Sequence, residues 1–81
     1  MKARVFVGLK NTVLDPQGQT IQKALVGLGH PEIASVRQGK YFDIELGGDI
    51  SKEQAQANLD RVAADVLANP VIEEYRVEII D

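Results

Sequence analysis

Few side chains in this sequence could do chemistry, and none stands among the partners that chemistry requires. His30 is the only histidine, in the loop signature Gly29-His30-Pro31. A general base needs its proton partner within hydrogen-bond reach, and zinc needs several nitrogen or sulfur ligands. The chain has no cysteine, so His30 reads as a solvent-exposed loop residue. Ser51 opens Ser51-Lys52-Glu53-Gln54, a helix-capping pattern, and no histidine near it in sequence makes it a nucleophile. Glu73 and Glu74 are adjacent on an expected strand, so they point to opposite faces and cannot work as a paired acid and base. Gly27-Leu28-Gly29 and Gly47-Gly48 lack the Lys-Ser/Thr of a phosphate loop, and Gly29 closes a helix where such a loop would open one. No residue is assigned a catalytic, cofactor-binding or metal-ligating role.

Lys40-Tyr41-Phe42 invites comparison with RNA-recognition sheets, which stack bases on strand aromatics. The glycine-aromatic spacing of those modules is absent, and Asp43 and Glu45 share the face of Tyr41. Nine basic against twelve acidic residues leave a net charge of -3. That balance opposes the counterion release that drives binding to phosphates. The N-terminus has no apolar core followed by a small-residue cleavage site. No apolar run approaches the ~20 residues of a membrane helix. The expectation is a cytoplasmic domain that binds neither nucleic acid nor membrane. At 81 residues it is one domain, 1–81, with a modest core. Self-association is the cheapest extra source of burial where no disulfide or metal is available.

The elements that position these residues follow from periodicity. Ala3, Val5, Val7 and Leu9 alternate with Arg4, Phe6 and Gly8 at the period of a strand. Asp15-Pro16-Gln17-Gly18 suits either a type I turn or a helix cap with proline at the first helical position. Ile21, Ala24, Leu25 and Leu28 then recur at helical spacing, and Gly29 and Pro31 end that helix. Ile33–Val36 reads as a second strand, joined through a tight turn at Arg37-Gln38-Gly39-Lys40 to a third, Tyr41–Leu46. The Ser51 box starts a second helix with the stripe Ala55, Leu59, Val62, Ala63 and Val66. Asn69-Pro70 ends it, and Val71–Ile80 is the last strand.

The order β-α-β-β-α-β predicts an α+β two-layer sandwich, ferredoxin-like, with both helices on one face of an antiparallel sheet. Val5, Val7, Phe42, Ile44, Val77 and Ile79 should meet the helices, with the second and fourth strands at the edges. The opposite face then carries Phe6, Tyr41 and Ile80 among Arg4, Arg76, Asp43, Glu45 and Glu78. Aromatics mixed with arginine mark an interface better than a wet sheet face, so these three residues are candidates for self-association.

Three segments together resemble the PurS family, the small subunit of phosphoribosylformylglycinamidine synthase. They are Leu9-Lys10-Asn11-Thr12-Val13-Leu14-Asp15-Pro16-Gln17-Gly18, Val36-Arg37-Gln38-Gly39-Lys40 and Asn69-Pro70-Val71-Ile72-Glu73-Glu74-Tyr75. The resemblance covers essentially the whole chain. It implies a noncatalytic subunit that self-associates and joins a glutaminase, PurQ, to a synthetase, PurL. PurQ would release the ammonia that PurL consumes, with ATP and magnesium used by that large subunit and no cofactor in this chain. In the matching segments Lys10, Asp15, Arg37 and Lys40 are the candidate partner contacts. Another reading of the same topology is an ACT-like regulatory domain that binds an amino acid between paired sheets.

Overall fold

The computed structural model describes residues 1–80. In chain order it contains β1 (Lys2–Leu9), α1 (Pro16–Gly27), β2 (Gly39–Glu45), α2 (Lys52–Val62) with a π-helical turn (Ala63–Leu67), and β3 (Glu73–Ile79). The three strands form one antiparallel sheet in the order β2-β1-β3. Val5 stands opposite Phe42 on one side and Val77 on the other. The class is therefore the expected α+β with an antiparallel sheet and two helices.

Sequence signals set most boundaries. Ser51 caps α2 by accepting from the Gln54 amide at 3.1 Å. Asp15 resolves the earlier alternative as a cap: its Oδ1 accepts from the Gly18 amide at 2.9 Å, with Pro16 as the first helical residue. Past α1, Gly29 has φ +102°, and the amides of His30 and Gly29 donate to the carbonyls of Leu25 and Val26. That pair of bonds is a Schellman motif. Asn69 turns the chain into β3, its side-chain oxygen accepting from the Val71 amide at 3.1 Å and its own amide donating to Glu73 at 2.7 Å.

The core lies between the sheet and α2. Ala3, Val5 and Val7 from β1 are buried, as are Ala55, Leu59, Ala63 and Ala68. Phe42, Ile44, Leu67 and Val77 pack against that cluster while half-buried. The expected helix stripe needs one correction. Val62 and Val66 are exposed, and Leu67 and Ala68 take the inward places. For Val66, Leu67 and Ala68 the cause is the π turn, in which the Ala68 amide reaches back five residues to the Ala63 carbonyl at 2.8 Å. An i→i+5 bond puts more residues into the turn and rotates everything after it.

Two further expectations fail, and their causes are connected. Ile33–Val36 forms no strand, so the sheet has three strands and not four. The expected turn at Arg37–Lys40 is absent because Gln38 and Arg37 are engaged elsewhere. Gly39 lies in β2 with no positive φ; it is needed because a Cβ there would come within 2.7 Å of the Val7 carbonyl oxygen. With the second strand missing, β2 becomes the sheet edge beside β1, and β3 is the other edge.

The first helix also leaves its expected place. α1 does not lie on the sheet, and among its residues only Gly18 is buried. It instead pairs with the returning chain at 33–38 to form an arm. The molecule measures 51 × 26 × 14 Å, with a radius of gyration of 16.1 Å. A compact domain of this length would have about 12 Å. The accessible surface is 5825 Å², about 1,000 Å² above that of a compact monomer of this mass.

Candidate interaction surfaces

Three of the four expected partner-contact residues are drawn into the root of the arm, where they serve the chain itself. Asp15 is the one buried charged residue among those described, at 5% exposure. Its Oδ1 holds the Gly18 amide and its Oδ2 the Gln38 amide at 2.8 Å. The Gln38 amide, then the Gly18 amide, stabilise the carboxylate and hold its pKa below the ordinary value. Arg37 donates through Nη2 to the carbonyls of Lys10 at 2.9 Å and Val13 at 2.8 Å. The Lys10 amide donates to the Ile72 carbonyl at 2.9 Å, tying the start of the arm to the lead-in of β3. Lys40 is different: it is exposed on β2, with Nζ 5.8 Å from the Phe42 ring centre. It lines a cleft of about 220 Å³ with Asp15, Gln17, Gln38 and Glu73, where arm and sheet meet.

Along the arm, Gln22 Nε2 donates to the Ile33 carbonyl at 3.0 Å, and the Gln38 side chain donates to that of Gln17. Polar side chains thus tie the two limbs together. The apolar residues are left outside: Leu14 is 65% exposed, Leu28 76%, and Ile21 and Val26 are exposed as well. Sequence periodicity identified much of this stripe but assigned it to the sheet of the same chain. No signal in the sequence marks Gly18, Gln22 or Gln38 as ties, because each acts through a residue at least eleven positions away or through the backbone.

The sheet face away from α2 gathers the expected aromatics. Phe6 faces Tyr41 across β1 and β2, with ring centres 6.2 Å apart. The Arg4 guanidinium lies 4.5 Å from the Tyr41 ring centre, and that of Arg76 lies 4.3 Å from the centre of Phe6. Arg4 pairs with Asp43 at 2.7 Å, and Arg76 with Glu78 at 2.9 Å. Gly8 and Gly39 stand opposite each other beside this ladder and open a depression of about 540 Å³. Ile80 lies on the same face, beyond the β3 ladder, with its amide bonded to the Lys2 carbonyl. Lys2 is four residues from Phe6, a span of about 13 Å along a strand, so Ile80 does not join the aromatic group.

The residues singled out for chemistry stand apart among the described residues. His30 is exposed in its loop, with Nδ1 3.4 Å from Glu32. Glu73 and Glu74 face opposite sides, as expected. Among the described residues there is no group of metal-ligating side chains and no helix long and apolar enough to cross a membrane.

Fold and surfaces together define a small α+β domain with an apolar arm and an aromatic sheet face left open. Residues 2–81 match the family described as PurS: Phosphoribosylformylglycinamidine (FGAM) synthase, and the chain belongs to that family. It is 39% identical to the Bacillus subtilis phosphoribosylformylglycinamidine synthase subunit PurS over 96% of this chain and 90% of that one. With the Mycobacterium leprae subunit PurS the identity is 42%, over 94% and 91%. A solved structure of B. subtilis PurS superposes with a TM-score of 0.83 at 38% identity, covering 99% of this chain and 98% of that one. A chain in the structure of PurLQS from Thermotoga maritima superposes with a TM-score of 0.84 at 31% identity, covering 95% and 93%. The ACT-like reading finds no support.

Proposed function

We propose that this chain is the adaptor subunit of a phosphoribosylformylglycinamidine synthase and holds a PurQ-type glutaminase against a PurL-type synthetase. The observation that carries this reading is the match, over nearly all of both chains, to a chain in a structure of PurLQS. The assembled enzyme would convert formylglycinamide ribonucleotide, glutamine and ATP into formylglycinamidine ribonucleotide, glutamate, ADP and phosphate. ATP and magnesium belong to the large subunit. Ammonia must pass between two active sites on different chains, and an adaptor helps by holding them in register and raising the effective concentration of one beside the other. The place of work is the cytoplasm.

A second copy of this chain is part of the same proposal, as a homodimer or a higher homo-oligomer. The surplus of about 1,000 Å² over a compact monomer is close to the ~800 Å² that one partner contributes to a standard interface. The exposed stripe of α1 and the unpaired edge of β2 are the surfaces offered to that second copy. An unpaired strand edge offers backbone groups to another chain. Phe6 and Tyr41 are proposed as a further self-association surface on the sheet face away from α2, with Ile80 as a separate point on it. The exposed Lys40 and Arg37, with Lys10, mark the side offered to the larger subunits, around the buried Asp15.

Reconstitution tests the adaptor role. Synthase activity from glutamine should require this chain together with PurL and PurQ. Ammonium supplied directly to PurL should weaken that requirement. Equal product from PurL and PurQ with this chain omitted would overturn the proposal.

A further inference from the structure

The arm leaves the sheet at Leu9 and returns at Gly39, and residues 8 and 39 are neighbours in the β1–β2 ladder. Two attachment points this close act as a hinge. Since α1 has little packing against the sheet, the angle of the arm has to be fixed by ties near that hinge. Gln38 is one residue before β2, so a bond to its amide is a bond to the sheet edge. Asp15, the residue before α1, makes that bond through Oδ2 while Oδ1 holds the first turn of the helix. Gly18 lets the two limbs meet. A Cβ at that position would lie 2.1 Å from the Val36 carbonyl oxygen and 2.9 Å from the Asp15 carboxylate.

We propose that Asp15 is a positioning residue for the arm: with Gly18 and Gln38 it sets the angle at which α1 is presented to other chains. A carboxylate suits this place because both groups bonded to it are backbone N–H donors, with the Arg37 cation near as well, and an ionised carboxylate only accepts. Asparagine has the same shape, but its NH₂ group would face one of those donors. Arg37 supports the joint from the side through the carbonyls of Lys10 and Val13. It is exposed, whereas Asp15 is buried, so Asp15 carries the position.

Orientation can be measured directly, because the chain has no native cysteine. Spin labels at Leu28→Cys and Glu78→Cys, in the full chain diluted with unlabelled chain, report the distance from arm tip to sheet. Wild type should give one narrow distribution, and Asp15→Asn a broadened or displaced one. Backbone amides of 16–38 should exchange about tenfold faster in that variant, the scale of one lost charge-assisted hydrogen bond, with exchange in β1, α2 and β3 unchanged. Gly18→Ala should give the same pattern through the Val36 contact. Unchanged distances in both variants, acceleration spread evenly over the chain, or failure of both to fold would each overturn the assignment. These readouts use this chain alone and do not depend on the adaptor reading. Its binding to PurL and PurQ is a separate measurement, in which a fault in that reading would show.

Discussion

The Ala68 amide donates to the Ala63 carbonyl at 2.8 Å, five residues back, and this bond decides which side chains of the second helical segment reach the core. Before it, Leu59 is 3% exposed; within the turn it closes, Val66 is 75% exposed, and at the end of that turn Ala68 is only 8%. Leu59→Ala should therefore cost about 2–5 kcal/mol as a buried truncation. Val66→Ala, away from the core, should stay within about 0.5 kcal/mol. Denaturant midpoints at constant slope separate the two, and equal losses would mean that Val66 is buried in the folded chain.

Capping of α2 is a smaller quantity with a clear sign. Ser51 satisfies the Gln54 amide, so Ser51→Ala should lower stability by about 1 kcal/mol. Ser51→Gly should lower it by only a few tenths. The same denaturation experiment ranks the pair, and the reverse order would remove the cap from the account.

Acid should loosen the arm before it unfolds the sheet. Asp15 has its pKa lowered by the Gln38 and Gly18 amides. Its stabilisation is fully present above the ordinary carboxylate value of about 3.9. It is lost as pH falls below that value and through the folded one. Wild-type stability should therefore drop more steeply below about pH 4 than that of Asp15→Asn, which lacks the titrating group. Parallel curves for the two proteins would show that the carboxylate is not coupled to folding.

Self-association can be divided between the two open surfaces. Leu28→Asp on the arm and Phe6→Asp or Tyr41→Asp on the sheet face each place a charge where a partner copy would have to bury it unpaired. Light scattering at micromolar concentrations should show a dimer or larger species for wild type and a smaller one for each variant that lies in a contact. A monomeric wild type would end the proposal for both faces.

Charge reversal tests the partner side in a graded way. Lys40→Glu changes an exposed residue whose described role is contact with the Phe42 ring. It should weaken pull-down of PurL and PurQ while leaving thermal unfolding nearly unchanged. Arg37→Glu also removes two bonds to carbonyls within the arm, so binding and local stability should fall together. Undiminished pull-down with both variants would show that this side does not meet the larger subunits.

Local sequence determined whatever depends on near neighbours. Period-2 alternation placed β1 and the inward set Val5, Val7 and Val77, and Ser51, Gly29 and Asn69-Pro70 set helix ends because caps and turns act within a few residues. The resemblance carried by the segments at 9–18, 36–40 and 69–75 pointed to the family to which the chain belongs. Tertiary structure alone decided where α1 goes. Its apolar stripe is legible in Ile21, Leu25 and Leu28, but a stripe specifies that something must cover it and not which chain does so. The second strand failed for the same reason. Ile33–Val36 has the residues for a ladder, while Asp15 and the carbonyls of Lys10 and Val13, distant in sequence, claim Gln38 and Arg37 for the arm. Hydrogen bonds across more than twenty residues leave no periodic trace, so the joint that shapes this molecule is visible only once the chain is folded.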